Sequence, residues 1–147
     1  MSRDLTCRAY NRMEEKRNFY QEVEEICSKD SRYKPDAYEF LLQALHFTQN
    51  KLKRETHVTG RELLEGIRDF AIEQYGPMAK TVLAHWGIKK TEDFGNMVFN
   101  MVEKKLLSKT ETDSINDFKD VYDLEAVFSN VLRESIIKYI ENDTEDK

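Results

Sequence analysis

Three histidines and two cysteines are the residues of this chain best suited to metal ligation or nucleophilic chemistry, and their spacing argues against both. His46, His57 and His85 are scattered. Neither Cys7 nor Cys27 has a second ligand at the C-x-x-C or H-x-x-x-H spacing that would set two donors on one turn. No metal, cofactor or disulfide framework is expected. Acidic pairs stand at Glu24 and Glu25, Glu92 and Asp93, and Asp113 and Asp117, but without histidine or glycine-rich context they read as surface charge. The sequence contains no G-x-S-x-G, G-K-[ST] or H-E-x-x-H, so no catalytic residue is nominated and no enzymatic activity is expected. His46 is expected as a packed, hydrogen-bonded residue at the edge of the core. His85 is expected at the end of a short helix, where unpaired carbonyls favour positive charge.

Cations gather in two places. Lys53, Arg54, His57 and Arg61 surround Thr59, the expected N-cap of a helix, and backbone N–H groups beside such cations could seat a phosphate or an acidic side chain. Glu55 and Glu62 dilute that field. The second group, Lys80, Lys89, Lys90, Lys104 and Lys105, flanks a tight helical turn and could touch a phosphate backbone. Yet the helix that would enter the groove begins with Glu92 and Asp93, which repel it. Residues 77–123 hold seven lysines against eight acids, and the whole chain has a net charge of −5, so specific nucleic-acid binding is disfavoured.

On the same helix Gly95, Asn96, Phe99 and Asn100 make a different kind of patch. A missing side chain admits a second backbone, and two amides one turn apart offer uncharged donors. Phe99 lies off the apolar stripe of its helix, so it could pack on the N-terminal helices or meet a partner. A protein partner is expected at this patch. The alternative is close packing within the domain, with the asparagines merely exposed.

The elements that would position these residues follow from apolar periodicity. Phe19, Val23, Ile26 and Cys27 predict a helix over 13–28, and Tyr38, Leu41, Leu42, Leu45 and Leu52 a second over 35–52, with Pro35 in its first turn. Thr59 and Glu62 have the spacing of a reciprocal cap and open a third helix that runs to Tyr75. Gly76 and Pro77 end it and start a short fourth helix over 77–86. Gly87 is expected as its left-handed cap, Thr91 as the N-cap of a fifth helix reaching about Leu106. Residues 106–110 and 117–123 could pair as a short hairpin. A last helix spans 124–140, and 141–147 fray into an acidic tail. Ile136, Ile137, Tyr139 and Ile140 could leave one of its edges apolar, and so support self-association.

With 147 residues, 39% apolar and 35% charged, the expected architecture is a mainly α single domain over 1–147. A helical pair (13–56) packs on a winged-helix-like unit of three helices plus hairpin (59–123), followed by a C-terminal helix (124–141). The segments AYEFLLQAL, HVTGRELLEGIRDFAIEQYGPMAKTVLAHWGI, TEDFGNMVF, LLSKTETDSINDF and VYDLEAVF resemble a family of uncharacterised bacterial proteins associated with planctomycetes and verrucomicrobia. The resemblance covers residues 33–128 and implies a bacterial origin, with no activity or site residue attached. A polar N-terminus, two dispersed cysteines and no membrane-length apolar run predict a cytoplasmic protein. The function expected is a non-catalytic adaptor or regulatory domain that binds another protein. The alternative is a DNA-binding transcriptional regulator acting through the lysines of the helix-turn-helix.

Overall fold

In the computed structural model, which describes residues 2–3, 12–54 and 57–145, the chain is mainly helical. Helix α1 runs Arg12–Lys29 and α2 runs Pro35–Leu52. Pro35 occupies the first turn of α2, where its missing N–H is no loss, and Lys53 closes the other end at φ 55°. Helix α3 spans Gly60–Tyr75. Its Thr59 cap is reciprocal: Glu62 N donates to Thr59 Oγ1 at 3.1 Å and Thr59 N to Glu62 Oε1 at 3.0 Å.

The expected fourth helix divides into a 3-10 turn, Gly76–Met78, and α4, Ala79–His85. Gly87 then takes φ +92°, and an added Cβ would lie 2.1 Å from the Arg32 carbonyl oxygen, so both the turn and the neighbouring chain require glycine here. Helix α5 follows over Thr91–Glu103, ending earlier than periodicity suggested because Lys105 adopts φ 62°. Helix α6 extends from Leu124 to Glu145, so the expected fraying over 141–147 gives way to helix through Glu145.

The expected hairpin does not form. Strand β2, Leu107–Ser108, pairs antiparallel with β1, Ser2–Arg3, and the expected second arm, 117–123, begins at the end of a 3-10 turn, Ile115–Phe118, and continues as irregular chain. The physical reason is Phe118. Its ring is fully buried and sits beneath α5, while a strand would have held it in a two-stranded ribbon with one face in water.

Helices α2 and α3 form the most extensive pair, and α5 touches α1, α2, α3 and the Ile115–Phe118 turn. Tyr38, Leu41, Ile67, Phe94, Met97 and Phe118 fill the space between them. An aromatic cluster welds α4 to this body, with Phe40 5.4 Å from both Phe70 and Trp86, and Tyr75 edge-on to Trp86 at 5.9 Å. Trp86 and Phe94 are therefore core. Helix α6 packs on α4 and the Gly76–Met78 turn through its first turns only, where Leu124 and Phe128 are buried.

Candidate functional site

The Gly95, Asn96, Phe99, Asn100 face is occupied from within. Gly95 is buried, and an added Cβ would stand 2.8 Å from Phe118 Cβ, so its small size serves packing of the Ile115–Phe118 turn against α5. Asn96 Nδ2 donates to Tyr33 Oη at 3.1 Å, and that hydroxyl donates to Asp93 Oδ1 at 2.6 Å. Asn100 Nδ2 reaches Asp30 Oδ2 at 3.0 Å and Tyr38 Oη at 3.2 Å. Phe99 is half-buried against the core. These contacts form a polar seam between α5 and the connector that joins α1 to α2, and the expectation of a partner at this face is corrected accordingly.

The seam is electrostatically tuned. Arg32 holds Asp30 through Nε–Oδ1 at 2.8 Å and Nη2–Oδ2 at 2.7 Å, and this pair, with Asn100, holds the Asp30 carboxyl well below the usual range. Burial, reinforced by Asp93, raises the Tyr33 hydroxyl, and burial pushes Tyr38 up to about 12. A shallow cleft of about 190 Å³ borders the seam, lined by Ile26, Lys29, Asp30, Asn100, Glu103 and Lys104. Two of its charges are engaged: Asp30 with Arg32, and Lys104 with Glu25 and, at 3.8 Å, Glu22.

The lysines around the helical turn fare similarly. Lys80 pairs with Glu125 at 3.2 Å and Lys90 with Glu92 at 3.6 Å, while Lys89 and Lys105 are exposed. Lys89 and Lys90 border a cleft of about 340 Å³ that Glu92, Asp120 and Asp123 also line, three acids against two cations. The acids that open α5 have internal duties. Asp93 Oδ2 accepts from Lys89 N at 2.8 Å and Lys90 N at 3.1 Å, capping the helix, and Glu92 Oε1 accepts from Asp120 N at 2.9 Å, which lowers its pKa. Thr91, expected as the N-cap, is the first helical residue. Its hydroxyl donates to the Phe118 carbonyl at 2.7 Å and accepts from Val121 N at 3.3 Å.

At the other cationic group the chain supplies its own anion. Glu62, whose pKa is lowered chiefly by its bond from Thr59 N, occupies the α3 N-terminus and binds Arg54 at 2.7 Å. His57 Nε2 lies 3.5 Å from Asp113 Oδ1, and Lys53 and Arg61 are exposed. His46 is exposed on α2, which corrects its expected place at the core edge: its helix turns Leu41, Ala44 and Leu45 inward instead. His85, at the end of α4, lies 3.3 Å from Lys34 Nζ. Cys27 is half-buried with its thiol raised by burial, while Cys7 and Glu55 lie outside the described residues. Among the described residues no cluster of three metal-ligating side chains occurs.

What remains open is α6. Beyond Phe128 its stripe continues with Leu132, Ile136, Tyr139 and Ile140, at steps of four, three and one, and these stand 46%, 51%, 75% and 56% exposed. Ile137 is 47% exposed on the flank, and Met78, on the turn against which α6 packs, is exposed at the stripe's root. Large apolar side chains in such a row mark a surface built to be covered. No described helix is long and apolar enough to cross a membrane. Comparison with protein-family models, curated proteins and solved structures finds no match to this chain.

Proposed function

We propose that this chain is a non-catalytic interaction domain, cytoplasmic and of the bacterial family it resembles, whose docking element is the C-terminal helix α6. The observation that carries the reading is the exposed apolar row Leu132, Ile136, Tyr139 and Ile140 on a helix whose buried residues are Leu124 and Phe128. An amphipathic helix offering anchors at i, i+4, i+7 and i+8 is a standard way for one protein to engage another. The polar seam of α5 supports the same division of labour, since it holds the scaffold together and leaves recognition to α6.

Affinity capture with the full chain tests this reading, comparing wild type with Ile136→Glu plus Ile140→Glu, with and without nuclease. Protein retained by wild type, lost in the double variant and indifferent to nuclease is the expected result. Here a second copy of the chain itself counts as retained protein. Retention of nucleic acid alone would overturn the reading and return attention to Lys89, Lys90 and Lys105.

A further inference from the structure

We draw no further inference here: the strongest candidate, the exposed apolar row that runs along α6 from Leu132 through Ile136 and Tyr139 to Ile140, is a surface patch for which nothing in the structure shows what covers it.

Discussion

Helices α5 and α6 look alike as amphipathic sequences, yet every residue of α5 from Thr91 to Val102 is buried or half-buried, while most of α6 beyond Phe128 is exposed. Around α5, Phe118 closes over Gly95, Tyr33 and Tyr38 meet Asn96 and Asn100, and Thr91 binds the Phe118 carbonyl. Around α6, full burial ends at Phe128 and the apolar row runs on exposed. A glycine beside uncharged amides thus identifies a helix that is approached closely, while an apolar stripe longer than its support identifies one that has more to bind.

The largest effect expected from breaking this contrast is at Phe118. Phe118→Ala removes a fully buried ring from under α5 and is expected to cost about 3–5 kcal/mol, read by urea denaturation. A loss under about 1 kcal/mol would mean that the turn does not seal α5.

Next is the seam. Tyr33→Phe strips Asp93 Oδ1 and Asn96 Nδ2 of a shared partner, so about 1–3 kcal/mol should be lost. In a double-mutant cycle with Asn96→Ala the two changes should be strongly non-additive, since both remove the same bond. Simple additivity would show that the hydroxyl and amide do not communicate.

Acid should loosen the same region more gently. The Asp30 carboxyl is held below its ordinary value of 3.8, first by Arg32 and then by Asn100. The stability this gives is therefore fully present above about pH 4 and is lost as pH falls through the lower, folded value. Because Arg32 is well exposed, solvent screening keeps the effect under about 1 kcal/mol. Asp30→Asn should thus be slightly less stable than wild type at pH 7, with the gap narrowing steadily as pH falls below about 4. A gap of the same size at pH 2.5 as at pH 7 would assign the loss to packing.

Much of this scaffold was legible because its signals are local. Pro35 and the Thr59 and Glu62 pair act within four residues of themselves, as does Gly87 in its turn, and each stands where its chemistry requires. The partners of α5 were hidden because they are distant: Tyr33 lies 63 residues from Asn96, and Tyr38 62 residues from Asn100. The same distance hid β1, which reaches β2 from the other end of the chain. The acids Glu92 and Asp93, read by net charge as a repulsive face, are hydrogen-bond acceptors for particular backbone amides, a role that charge counting does not resolve. The row on α6 was visible, since Ile136, Ile137, Tyr139 and Ile140 exceed what one helix face can bury, and what the fold adds is where support for the helix ends.

The smallest effect on the isolated chain should come from the most drastic chemical change, Ile136→Glu plus Ile140→Glu. Both side chains already stand about half in water, so at low concentration the variant should unfold within about 0.5 kcal/mol of wild type. A loss above about 1 kcal/mol would mean that the row packs on its own body, and the contrast between α5 and α6 would collapse.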